Sequence, residues 1–232
     1  MSILDAIAAV RERLAASARR AGRRPEEIVL MAVTKTHPAA RIREAYEAGL
    51  RVFGENRVQE YTTKAAALAD LHEAEWHMIG HLQTNKVLKA AELFSAIDSI
   101  DSLKLAEKLD TAARGFNKKL RVLIEINVGG EAAKSGVAHG SPELEDLLRA
   151  APRLEALEFR GLMTVPPYTD DPEGARLYFR KLRELRDLIA ARKLPAVNMD
   201  ELSMGMSHDF DVAIEEGSTC VRVGTAIFGE RD

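Results

Sequence analysis

The sequence predicts an α/β fold: one (β/α)8 TIM barrel preceded by an extra N-terminal helix. Eight short apolar runs alternate with polar stretches rich in Ala, Glu, Lys and Arg. Their starts, from Ile28 to Cys220, lie about 27 residues apart, close to the interval of a barrel that totals roughly 250 residues. Several runs are apolar throughout, as parallel strands covered on both faces are. A doubly wound open sheet has similar patterning, so count and length alone leave that alternative open. The 232 residues are 46% apolar, with no low-complexity tract or Gly/Ser linker, so residues 1–232 are read as a single domain.

In chain order, Ile3, Leu4, Ile7, Val10 and Leu14 fall at helical spacing, and Gly22 with Pro25 supplies the stop, giving a helix from Ser2 to about Ala21. Its arginine-rich end, Arg19, Arg20, Arg23 and Arg24, suits either the helix dipole or a phosphate, and the dipole reading is preferred. The strand candidates follow as IVLMAVT, RVFGE, WHMIG, SAIDSI, RVLIEINV, FRGLMTV, ELSMG and CVRVG.

Charge narrows the partners. Lys and Arg number 33 against 36 Asp and Glu, so no overall field favours nucleic acid or an anionic membrane, and any phosphate must be captured locally. The sole cysteine, Cys220, sits in an apolar run and is read as a small buried hydrophobe in a reducing compartment. Asp5 and Arg11 interrupt the N-terminal apolar pattern, which leaves neither a secretory nor a membrane-spanning segment there. A cytoplasmic location is expected. No unusually apolar helix face stands out, so a monomer is expected too.

Barrels of this kind place their chemistry at the C-terminal ends of strands and grip phosphate with the loops after strands seven and eight. Those loops are SMGMSHDF and RVGTAIFGE. Backbone N–H groups near Gly205 and Gly224, with the hydroxyls of Ser203, Ser207 and Thr225, suit a phosphate dianion. The plainer alternative is a helix N-cap at Ser207 or Asp209 and a tight turn at Gly224.

Lys35 ends the first apolar run, and no Asp or Glu occurs between Glu27 and Glu44. Desolvation at a barrel mouth lowers a lysine's pKa, and a neutral amine attacks an aldehyde to form a Schiff base. Lys134, off a strand end and near Glu131, is the rival. Arg222, inside CVRVG, needs an acceptor or a ligand once buried; an ion pair with Glu125 or Asp98 would serve as well. His77 and His81 are four apart, but on a strand and turn rather than a helix, so packing and a loop hydrogen bond are preferred to metal. Glu55 and Asn56 follow the second strand, where an amide could touch a ligand or cap the next helix.

Taken together, AVTKTHP, FGENRVQE, WHMIGHLQTNK, AKSGV, GLMTVPP, LSMGMSHDF and GSTCVRVGTAIFG closely resemble the pyridoxal 5′-phosphate (PLP) homeostasis proteins, a PLP-binding family similar to the N-terminal barrel of alanine racemase. These stretches run in order from Ala32 to Gly229; Met78 stands where many relatives carry Phe. The resemblance implies that Lys35 carries PLP as a Schiff base and that Arg222 lies near the pyridine nitrogen, which an arginine keeps unprotonated. It further implies phosphate binding by Ser203, Ser207, Gly224 and Thr225, Asn56 close to the ring, and Met163, Met204 and Gly205 lining the site.

The function implied is a PLP reservoir or carrier, with PLP-dependent apoenzymes as candidate recipients. An amino-acid racemase is the alternative. It needs a second acid/base opposite the lysine, which the related racemase takes from a tyrosine of a further domain. Here Tyr46, Tyr61, Tyr168 and Tyr178 fall in helices or a loop. A barrel aldolase acting on a sugar phosphate through Lys35 is a third reading, and it predicts no chromophore.

Overall fold

The computed structural model describes residues 2–131 and 135–230; Lys134 lies outside them. Eight strands form the ring: β1 (Val29–Val33), β2 (Val52–Glu55), β3 (Glu75–Met78), β4 (Ala96–Ile100), β5 (Leu120–Asn127), β7 (Leu157–Met163), β8 (Val197–Met206) and β9 (Cys220–Val223). All neighbouring pairs are parallel, and the pairings β9 with β1 and β4 with β5 close the sheet. Each strand overlaps one of the apolar runs. The two-residue strand β6 (Val137–Ala138) pairs with the end of β5 outside the ring, and its polar surroundings gave no strand signal.

The helices are α1 (Ile3–Arg20), α2 (Ala39–Glu47), α3 (Val58–Ala65), α4 (Val87–Leu93), α5 (Leu103–Gly115), α6 (Pro142–Ala150), α7 (Arg176–Ala191), α8 (Phe210–Glu215) and α9 (Thr225–Phe228). They form the outer layer, and the main core lies between them and the sheet. Alternation along each strand decides which layer a side chain enters. On β5, Val122, Ile124 and Ile126 join the outer core. Leu123 and Glu125, equally buried, take the opposite parity and face the barrel axis.

Helix α1 starts with a capping box, in which Asp5 N donates to Ser2 Oγ and Ser2 N donates back to the Asp5 carboxylate. It packs on α8 and α9, which have only six and four residues, and so supplies the cover that these short helices leave incomplete. Its arginine-rich end is structural: Arg20 pairs with Glu215 at 2.8 Å, and Arg23 donates to the Ile214 and Ser218 carbonyls.

The β7–β8 pairing shifts register between Phe159 and Gly161. A Cβ at Gly161 would lie 1.8 Å from the Glu201 carbonyl oxygen, so only glycine fits that crossing.

Candidate functional site

Lys35 follows β1 by two residues and is half-buried. Met31 and Val33, buried but outside the outer core, share its parity, which directs Lys35 to the barrel mouth. The chain then turns sharply: His37 N donates to Thr34 O at 3.1 Å, and Thr36 adopts φ +68°. The His37 ring stacks on Phe228 of α9 with centroids 4.5 Å apart, tying this turn to the last loop.

Arg222 lies one strand away on β9, in register with Met31 of β1, and is 3% exposed. Its Nη1 donates to Ser203 Oγ and its Nη2 to Thr164 O, both at 2.7 Å. Among the described residues neither Glu125 nor Asp98 forms an ion pair with it. The guanidinium is therefore held in place by two neutral acceptors. Burial pulls its pKa below the ordinary guanidinium value, although nearby Asp98, Glu125 and Asp209 oppose the shift. A buried cation so placed suits a ligand atom that accepts a hydrogen bond and carries no proton of its own.

The strands on the other side of β1 continue the rim. Asn56 follows β2, and its buried Oδ1 has no hydrogen-bond partner. A Cβ on Gly80, in the loop after β3, would lie 2.4 Å from the Asn56 carbonyl oxygen, so a glycine is required where the two loops meet. A cleft of about 630 Å³ opens between these loops, lined by Asn56, Arg57, Gln59, Gly80, His81 and Lys86; it reaches the candidate site only through Asn56.

The phosphate-loop residues are divided between the rim and the wall. Ser207, after β8, accepts from Ala226 N at 3.3 Å, which joins the β8 and β9 loops. Gly224 is the N-cap residue of α9, and Thr225 is exposed at its first turn. Ser203 is fully buried on β8; because its oxygen accepts from Arg222, its own O–H is left as a donor. Asp209 precedes α8, but its carboxylate accepts from Met206 N at 2.7 Å rather than capping the helix. Gly205 has φ +94°, and a Cβ there would lie 2.5 Å from Ala213 Cβ.

Met163, at the end of β7, is buried and outside the outer core, consistent with an inward position. Met204 is a correction: its side chain belongs to the outer core beneath the helices. It alternates with Ser203 and Gly205, so only its backbone borders the mouth.

Two acids lie beside the site; the sequence offers Glu125 as an ion-pair partner of Arg222 and Glu55, with Asn56, as a cap of the next helix. Glu125, a charge inside RVLIEINV, is 8% exposed, and its Oε2 has no partner. Burial, with Asp101 adding to it, pushes its pKa up to about 7 against the opposing charges of Arg222 and His81. With an unfolded pKa near 4.3, stability falls as pH rises from there to about 7 and is flat beyond. Glu125→Gln should therefore be more stable than the parent at pH 8, by roughly 3–4 kcal/mol, with the gain vanishing near pH 4. Urea midpoints at the two pH values measure this; a gain that is equal at both would contradict it.

The second acid, Glu55, is fully buried on β2, and its Oε2 likewise has no partner. His81 makes the loop hydrogen bond expected of it, whereas His77, expected only to pack, is held by a buried carboxylate. His77 is buried with Nδ1 3.1 Å from Asp98, and His81 hydrogen-bonds Asp101 at 2.9 Å. Burial alone would lower the His77 pKa, but the Asp98 charge and hydrogen bond, with Glu75, raise it to about 9.

Residues 6–232 match the family described as alanine racemase, N-terminal domain. A pyridoxal phosphate homeostasis protein of Aquifex aeolicus is 48% identical over 232 residues, covering 100% of this chain and 99% of that protein. Its namesake in Escherichia coli is 44% identical, covering 97% and 95% respectively. The chain belongs to the pyridoxal phosphate homeostasis protein family.

Among solved structures, the barrel superposes on PipY of Synechococcus elongatus with PLP bound at a TM-score of 0.82 and 37% identity, over 98% of this chain and 100% of that one. The chain shares its fold with the alanine racemase of Corynebacterium glutamicum, at 21% identity and a TM-score of 0.69, over 98% of this chain and 62% of that one.

Proposed function

We propose that this chain binds PLP as a Schiff base on Lys35 and serves intracellular PLP homeostasis as a reservoir and carrier, not as an enzyme of robust turnover. The observation that carries the reading is Arg222: a buried guanidinium held by two neutral acceptors, on the strand next to the one that presents Lys35. The PLP held by PipY supports the same reading.

In this arrangement Arg222 faces the pyridine nitrogen, and Asn56 with its free Oδ1 lies close to the ring. Ser207, Gly224 and Thr225 grip the phosphate, joined by the Ser203 hydroxyl, while Gly205 and Met163 border the cofactor. Condensation joins the Lys35 nitrogen to the aldehyde carbon and releases the carbonyl oxygen as water with both amine protons. PLP bound in this way would supply an electron sink, which a ring nitrogen left unprotonated by arginine keeps weak.

The tyrosines favour a carrier over a racemase. Tyr46, Tyr61 and Tyr178 lie on α2, α3 and α7, and Tyr61 is packed against Trp76 and Phe94. Tyr168 is exposed, with its ring 5.6 Å from His208. The reading takes the chain as one domain, monomeric and cytoplasmic, with apoenzymes as recipients of its PLP.

The test is to load apoprotein with PLP, remove the excess, and assay alanine racemisation on the yellow product. A stoichiometric visible band with negligible turnover supports the carrier. Turnover at ordinary enzymatic rates, on the order of 1 per second or more, would assign a racemase instead. A protein without the band would point to the aldolase reading.

A further inference from the structure

A buried ion cluster grips the turn that presents Lys35 from both sides. Lys64 on α3 reaches under the end of β1, with a side chain only 10% exposed, and its Nζ donates to three acceptors. These are the Thr34 carbonyl at 3.0 Å, Glu55 Oε1 at 3.1 Å and Glu60 Oε1 at 2.6 Å. Glu55, fully buried on β2, also accepts from Thr34 Oγ1 at 2.6 Å. Glu60 accepts the backbone N–H of Thr36. Thr34, immediately before Lys35, is thus bonded to Lys64 and Glu55, and Thr36, immediately after it, to Glu60, and Lys64 joins the two carboxylates.

Burying charges is a poor way to gain stability, because desolvation offsets the attraction between them. What such a cluster can do well is select one conformation. The turn needs selecting, since Thr36 stands at φ +68°, where a β-branched residue persists only if its surroundings hold it. Glu55 Oε2 is left without a partner, which a cluster built for stability alone would not leave buried.

We propose that Lys64, acting with Glu55 and Glu60, is a positioning residue for Lys35. The cluster fixes Thr34 and Thr36 so that the amine between them meets the aldehyde of PLP along its line of attack. The inference rests on Lys35 being the PLP-bearing amine. Its effect falls on the covalent step: the phosphate and ring contacts come from β8, β9 and Asn56, to whose side chains the cluster's hydrogen bonds do not run.

The experiment compares two ligands on the full-length apoprotein. PLP forms the Schiff base, while pyridoxine 5′-phosphate carries an alcohol in place of the aldehyde and reports only non-covalent grip. In Lys64→Met, the rate of appearance of the visible band should fall about tenfold or more, as expected when a reacting group loses its alignment. Affinity for pyridoxine 5′-phosphate should stay at the parent value. Glu60→Gln, which keeps shape and the Lys64–Glu55 contact, should show a smaller loss of the same kind, and it decides the matter if Lys64→Met does not fold. If affinity for both ligands falls in parallel, the cluster is merely structural and the proposal is overturned; it is overturned equally if neither changes. A parent protein that forms no Schiff base on Lys35 refutes the underlying assignment instead, a result read without any variant.

Discussion

Lys35→Ala is expected to lose the visible band completely while keeping the fold. The residue closes a strand end and is half-buried, so its removal opens no cavity in the core between sheet and helices. Non-covalent contacts from Arg222 and the two phosphate loops remain, and PLP should still bind, but about a hundredfold more weakly, equivalent to about 3 kcal/mol. Equilibrium dialysis for affinity and absorbance for the Schiff base separate the two effects. Retention of the band in Lys35→Ala would move the linkage to another lysine.

Gly205→Ala should produce the other large effect, and by a different route. The backbone at this position has φ +94°, and the new Cβ would sit 2.5 Å from Ala213 Cβ and 3.0 Å from Phe210 Cα. Strain and overpacking together should cost about 2–3 kcal/mol of stability. The shift needed to relieve the clash displaces the SMGMSHDF loop, which carries Ser207 and borders α8. Affinity for PLP should then fall about tenfold or more, whereas affinity for pyridoxal, which has no phosphate to lose, should change little. Equal losses for the two ligands would remove this loop from the phosphate site.

Much of the barrel was legible because its eight ring strands are short apolar runs separated by amphipathic helices, and parallel strands covered on both faces have few other ways to pattern. Lys35 and Arg222 stood out for the same reason, each being a charge set in or against an apolar run. What could not be read depends on pairing and parity. Met204 faces the helices instead of the mouth because side-chain direction follows from the neighbouring positions Ser203 and Gly205, and the sequence does not mark which side is the axis. The Arg222 partners, Ser203 and Thr164, are 19 and 58 residues away and are neutral, so a search for a counter-charge points to Glu125 or Asp98 instead. Lys64 and Glu55 meet across nine residues, at the junction of a helix and a strand, where no local periodicity links them. The glycine at 161 reads as an ordinary residue until the register shift of β7 against β8 brings the Glu201 carbonyl over it.

Borohydride reduction of the PLP-loaded protein, followed by peptide mass mapping, asks most directly which nitrogen holds the cofactor. A phosphopyridoxyl group on the peptide containing Lys35, and at stoichiometric yield, is the predicted result. The label on Lys134 or Lys64, or no label at all, would contradict the account.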